Sequence, residues 1–198
     1  MNITKSIVQK EGILMYEDLR YIKTEELIQQ SLILLLKTHY SIEKITVKDI
    51  CAHARIGRST FYTHYLDKFD LFEKTIKVYT ISFETLLSQR FLTNDISESI
   101  KIIVTELNKN RTEITTLIHS SFDQYDLEKN FQFILKKHCV RYVQRISKYK
   151  SFSLPIPFIV ELYTANSMSV INYSLENETS DDIFSFLHKL FDNGLKYA

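Results

Sequence analysis

Between Arg58 and His64 the chain places Arg58, Ser59, Thr60, Tyr62, Thr63 and His64 almost without interruption around apolar Phe61. A guanidinium, an imidazole and four hydroxyls in seven residues are hydrogen-bonding groups for recognising a polar surface. The sequence offers no glycine-rich phosphate loop, no metal-ligand spacing and no nucleophile with an evident base, so the chemistry expected is recognition, with no enzyme activity, metal or cofactor.

These side chains need an element to present them. The preceding residues supply one, because the stretch TVKDICAHARIGRSTFYTHYLDK, Thr46 to Lys68, reads as two short helices joined by a tight turn. Thr46 is a fitting N-cap for the first, since its hydroxyl can accept an orphan backbone N–H. Ile50, Ala54, Ile56 and Phe61 form the apolar set that buries one helix against the other, and small Ala54 lets the backbones approach. The second helix, about Arg58 to Tyr65, then carries an outer face that suits the major groove of a duplex, where side chains meet base edges.

The pattern T-V-x-D-I-x-x-x-A-x-I-x-R-S-T-F-Y-x-H-Y-x-x-K resembles the DNA-binding signature of the tetracycline-repressor (TetR) family. The resemblance covers about two dozen positions, preceded by a suitable first helix and followed by an all-helical remainder of suitable length. Two positions depart from it. Arg55 stands where the family usually has a turn glycine, which costs about 1 to 2 kcal/mol if Arg55 is left-handed. Gly57 stands where it usually has a Ser or Thr cap, and glycine caps slightly less well.

The resemblance implies roles residue by residue. Thr46, Tyr62, His64 and Lys68 match positions that touch the phosphate backbone. Lys48, Arg58, Ser59, Thr60 and Thr63 match positions facing the groove, where Arg can pair with guanine and Thr can offer a methyl to thymine. It further implies a palindromic double-stranded DNA operator, a homodimer, and a small-molecule effector in the body, with a protein coactivator as the variant mode. The effector site would draw on Phe83, Phe122, Tyr125, Phe131, His138, Tyr142, Tyr163 and Asn166, residues whose spacing also fits plain core. The dimer interface would draw on Ile159, Leu162, Tyr163, Ser167, Val170, Ile171 and Ser174 of one helix, with small Ala165, Ser167 and Ser169 permitting close packing. Phe184, Leu187, Leu190, Phe191 and Leu195 of the last helix would complete it. The closing stretch NYSLENETSDDIFSFLHKLFDNGL resembles regulators of dihydroxyacetone kinase genes, which is the source of the coactivator alternative. A second reading, an interaction protein with a degenerate head, rests on Arg55 and Gly57.

Composition bounds the rest. The 198 residues, 44% hydrophobic with only 3 Gly and 2 Pro, point to an all-α fold large enough for a sizeable core. A formal net charge of +1 leaves any basic patch local. Lys44, Lys48, Arg55, Arg58 and Lys68 against Asp49 and Asp67 make one in the reading head, and a dimer would carry it twice. Cys51 and Cys139 belong to no paired motif and read as buried thiols. No apolar run approaches the roughly 18 residues of a membrane span and no signal-peptide core opens the chain, so a cytoplasmic location is expected.

The expected organisation is a lead-in over 1–20, a helix-turn-helix head over 21–68 and a helical effector-binding and dimerisation body over 69–198. The first helix should run from Tyr21 to Tyr40, capped by Thr24, with Ile22, Leu27, Ile28, Leu32, Leu35 and Leu36 inward. A long helix should start near Asp67, with Leu71, Phe72, Ile76, Phe83, Leu86 and Leu87 inward. Five more helices should follow over 97–109, 112–121, 127–150, 155–176 and 181–197, the fourth set off by Pro155 and Pro157.

Overall fold

The periodicity of Ile28, Leu32 and Leu36, each four residues from the last, fixes the inner face of the first helix, and all three are fully buried in the computed structural model. That structure describes residues 19–90, 96–148, 152, 154–178, 182–186 and 189. Among them the regular structure is all helical: α1 (Leu19–His39), a 3₁₀ turn (Ile42–Lys44), α2 (Val47–Ala54), α3 (Arg58–His64), α4 (Lys68–Arg90), α5 (Ile96–Asn108), α6 (Arg111–His119), α7 (Leu127–Ile146) and α8 (Ile156–Glu176). Residues 182–186 are helical as well.

The chain forms two compact units. The first comprises residues 1–82 and 116–127, the second residues 83–115 and 128–198. The expected reading head at 21–68 falls wholly inside the first unit, and the expected lead-in lies outside the described residues except for Leu19 and Arg20.

In the first unit α1 packs against α2 and the 3₁₀ turn, and α2 against α3. Ile42, Ile45, Ile50, Phe61, Leu71 and Phe72 are fully buried and Ile76 nearly so, the apolar centre contributed by the 3₁₀ turn, α2, α3 and the first turns of α4. Two expectations for α1 are corrected. Thr24 is not the cap: it lies more than a turn inside the helix, and its hydroxyl donates back to Arg20 O at 2.7 Å. Leu27 faces outward, and Ile33 takes an inner place instead. Tyr40, left-handed at φ 56°, ends the helix.

In the second unit α5 packs on α8. The centre holds Phe83 and Leu87 from α4, Ile103 and Val104 from α5, Phe131 and Leu135 from α7, and Val160, Tyr163 and Ile171 from α8, all buried. Phe83 and Phe131 stack with ring centroids 4.0 Å apart and planes 22° from parallel. Arg111, opening α6, donates through Nε to Leu175 O in the last turn of α8, and Asn172 donates to Glu128 Oε1 at 2.8 Å. Pro155 is the N-cap of α8 and Pro157 sits in its first turn, where a missing N–H costs nothing.

Candidate nucleic-acid interface

The helix pair opens on a reciprocal cap. Thr46 Oγ1 accepts from Asp49 N at 3.2 Å, while Asp49 Oδ2 accepts from Thr46 N at 3.0 Å and from the Thr46 hydroxyl at 2.6 Å. Two orphan amides of α2 are thereby satisfied. The Thr46 hydroxyl first, and its N–H second, hold the Asp49 carboxyl below the usual carboxylate range.

The turn after α2 contains the two departures. Arg55 is left-handed at φ 54°, ψ 43°, and its N–H closes the helix on Ala52 O at 3.3 Å. An L-residue there carries a steric penalty that glycine escapes. Gly57, by contrast, is extended at φ −74°, ψ 154°, a conformation open to any residue, and caps α3 without a side chain. A Cβ on Gly57 would meet nothing nearer than Ser59 Oγ at 3.6 Å.

Helix α3 is held by its inner face. Phe61 is fully buried, Tyr65 at its C-cap is 2% exposed, and their rings lie 5.8 Å apart. The Tyr65 hydroxyl donates to Glu25 Oε1 at 3.3 Å and accepts from Gln29 Nε2 at 3.2 Å, tying α3 to α1. Lys74 adds its ammonium 5.1 Å from the Tyr65 ring. With the helix so fixed, Arg58, Ser59, Tyr62 and Thr63 point to solvent, Thr60 is half-buried, and Lys48 projects from α2. Thr63 already donates to Thr60 O at 2.7 Å, so it presents its methyl and lone pairs outward.

The four residues expected at phosphate divide. Tyr62 is open, 57% exposed, and Thr46 is exposed beside its cap. His64 turns inward: it is 8% exposed, its ring stacks on Tyr21 at 4.0 Å between centroids, and its Nδ1 is buried without a partner among the described residues. Burial pushes its pKa below the usual range, Glu25 pulls the other way, and Lys74 adds to the lowering. Lys68 is half-buried, and its ammonium donates to Glu43 O and Ile45 O, both at 2.8 Å, with the Phe69 ring 5.0 Å away. Nothing in the residue types at 64 and 68 announces these partners, because one is a stacked ring 43 positions earlier in the chain and the others are backbone carbonyls.

Residues expected to line one effector site fall in both units. Phe122 and Tyr125 belong to the first. A tight turn closed by Phe122 N–Tyr125 O and its reciprocal bond, with Asp123 left-handed, folds them onto the start of α4. There Phe122 stacks on Phe69 at 5.3 Å and Tyr125 meets Phe72 edge-on while donating to Glu73 Oε2 at 3.0 Å. The remaining six are in the second unit. Phe83, Phe131, His138 and Tyr163 are buried, Tyr142 lies under the Arg145 guanidinium, and Asn166 donates back to Leu162 O. Burial and the neighbouring Arg141 lower the pKa of His138, with Glu84 opposing. Cys51 and Cys139 are both buried free thiols, and burial pushes Cys139 up to about 12, which leaves it inert.

On α8 the expected interface residues Ile159, Tyr163, Ser167, Val170, Ile171 and Ser174 are buried in their own unit, because the most apolar stripe of the helix is spent on the monomer's core. The open stripe is offset from it: Phe158, Ala165, Ser169 and Tyr173 are exposed and Leu162 half-exposed. Phe184 is half-buried; Leu187, Leu190, Phe191 and Leu195 lie outside the described residues.

No protein-family model and no curated protein matches the sequence. Solved structures do match by fold. A protein from Syntrophomonas wolfei assigned to the TetR family of transcriptional regulators superposes with a TM-score of 0.64 at 18% identity, over 88% of this chain and 97% of that one. The fold is that of the TetR-family regulators. A TetR transcriptional regulator from Streptococcus agalactiae agrees, with a TM-score of 0.56 at 23% identity over 90% and 98% of the two chains. So does DhaS, a dihydroxyacetone kinase operon activator, with a TM-score of 0.57 at 15% identity over 88% and 97%. Among the described residues no helix is long and apolar enough to cross a membrane.

Proposed function

We propose that this chain is a sequence-specific, DNA-binding transcriptional regulator, with residues 21–68 as the reading head and residues 69–198 as the effector-binding and dimerisation body. The observation that carries the reading is the asymmetry of α3: Phe61 and Tyr65 anchor one side, and Arg58, Ser59, Tyr62 and Thr63 stand open on the other. A short helix held that way presents donors and acceptors of fixed geometry to base edges. Arg58, Ser59, Thr60 and Thr63, with Lys48 from α2, read sequence, and Tyr62 meets phosphate, while the Thr46 hydroxyl and N–H stay on Asp49.

Two copies place two heads on a palindrome, with half-sites roughly 34 to 36 Å apart. The open stripe of α8, with Phe158, Leu162, Ala165, Ser169 and Tyr173, supports pairing there, since small residues at its centre let two helices approach. The bound dimer occludes a promoter and so represses. A small ligand in the body, or a partner protein on it, changes the affinity of the head, and DNA changes the affinity for that effector by the same factor in return.

The reading is tested by selection from a random-sequence duplex library with the purified protein. Enrichment of one palindromic sequence supports it; recovery of unrelated sequences in proportion to their input contradicts it.

A further inference from the structure

Lys68 is the first residue of α4, where a cation opposes the helix macrodipole. The side chain is held there by other groups. Two of its three donors are taken by Glu43 O and Ile45 O at 2.8 Å each, and the Phe69 ring flanks the ammonium at 5.0 Å. Ile45 immediately precedes Thr46, whose carbonyl starts the hydrogen-bond ladder of α2 by accepting from Asp49 N and Ile50 N. Ile45 O therefore lies one residue outside that ladder. The α2 cap and the α4 start are the two ends of the helix pair in sequence, and Lys68 joins them directly across 23 residues that include all of α3.

The position of Phe69 is itself fixed, because its far neighbour is Phe122, stacked at 5.3 Å. The ammonium thus sits on a braced ring and spans to two backbone carbonyls, an arrangement that sets a distance between two backbone segments. Charge-assisted bonds to carbonyls are stronger than neutral ones. A lysine reaching for phosphate would leave its head in solvent; this one, half-buried, donates to two backbone carbonyls.

We infer that Lys68 is a positioning residue: it fixes the N-terminus of α2 against the N-terminus of α4, and so sets the attitude of the Thr46 cap and of Lys48 relative to α3. This rests on the reading of the head as a DNA-binding module, but its local part, the tie to Ile45 and Glu43, stands without DNA. The same side chain at a phosphate would act by charge and release a counterion. As a tie it acts through geometry.

The two roles separate in Lys68→Met, which keeps the stem and removes the donors. Operator affinity is measured across a salt series, and backbone amide exchange is measured on the free protein, with the amides of α1, in the same unit, as the reference for intact folding. A tie predicts that the Asp49 and Ile50 amides exchange about tenfold faster, as expected for losing charged hydrogen bonds. It also predicts that operator affinity falls about tenfold while the slope of log affinity against log salt keeps its wild-type value. A slope smaller by about 0.9, the signature of one lost phosphate contact, with α2 amides unchanged, overturns it, as do α2 amides unchanged at an unchanged slope. If wild-type protein binds no DNA yet the α2 amides still respond, the tie stands and the regulatory reading is what fails.

Discussion

Tyr21 of α1 lies stacked on His64 of α3, ring centroids 4.0 Å apart and planes 27° from parallel. The stack accounts for the burial of a residue whose type alone reads as a surface donor. Because burial depresses the His64 pKa in the folded state, the unfolded chain takes up a proton near its ordinary value of about 6.5 while the native ring resists. His64 therefore contributes full stability above about pH 6.5 and loses it as the pH falls below that value. Comparison of wild type with His64→Phe, which keeps the stack and cannot titrate, by urea unfolding between pH 5 and 8 should show wild type losing more stability on the acid side; parallel curves would remove His64 from the account.

The turn between α2 and α3 is open to improvement at both unusual positions. Arg55→Gly relieves a left-handed L-residue and should stabilise by about 1 kcal/mol. Gly57→Ser adds a capping hydroxyl with its Cβ in ordinary contact with Ser59 Oγ at 3.6 Å and should stabilise by a few tenths of a kcal/mol. Chemical denaturation of both variants checks the signs. A destabilised Arg55→Gly would mean that the Arg55 side chain makes a contact worth more than the strain.

Much of the head is legible because its signals are local. Thr46 followed by Asp49 is a capping pair within one turn, and Ile50 and Ala54 repeat at helix spacing with Phe61 the apolar residue of the next helix, so caps and inner face follow directly from the sequence. The same local logic misplaced Thr24, since a threonine inside a helix satisfies its hydroxyl on the carbonyl four residues back as readily as one at a cap. Long-range partners left no trace: Tyr21 on His64 is set by how α1 meets α3, and the carbonyls that hold Lys68 by how the 3₁₀ turn and its C-cap meet α4. On α8 the difficulty was one of phase. Apolar residues cover most of its circumference, and only packing decides that Ile159 and Ile171 face in while Phe158 and Tyr173 face out.

That phase has a consequence for assembly. A charge at Ala165, on the open stripe, should separate a dimer without unfolding its subunits, because burying an unpaired cation at an interface is costly. Ala165→Arg is expected to sediment as a monomer with wild-type helicity at concentrations where wild type is dimeric. A variant that stays dimeric would place the interface elsewhere.

The most direct test of the regulatory reading is the affinity of the wild-type protein and of Arg58→Ala for the duplex that selection returns and for random duplex, across a salt series. The account predicts a specific wild-type complex that weakens as salt rises. It also predicts that Arg58→Ala loses about tenfold or more on the selected duplex, as for a lost bidentate base contact, with a much smaller change on random DNA. Equal affinity for both duplexes at every salt concentration, in wild type and variant alike, would contradict it.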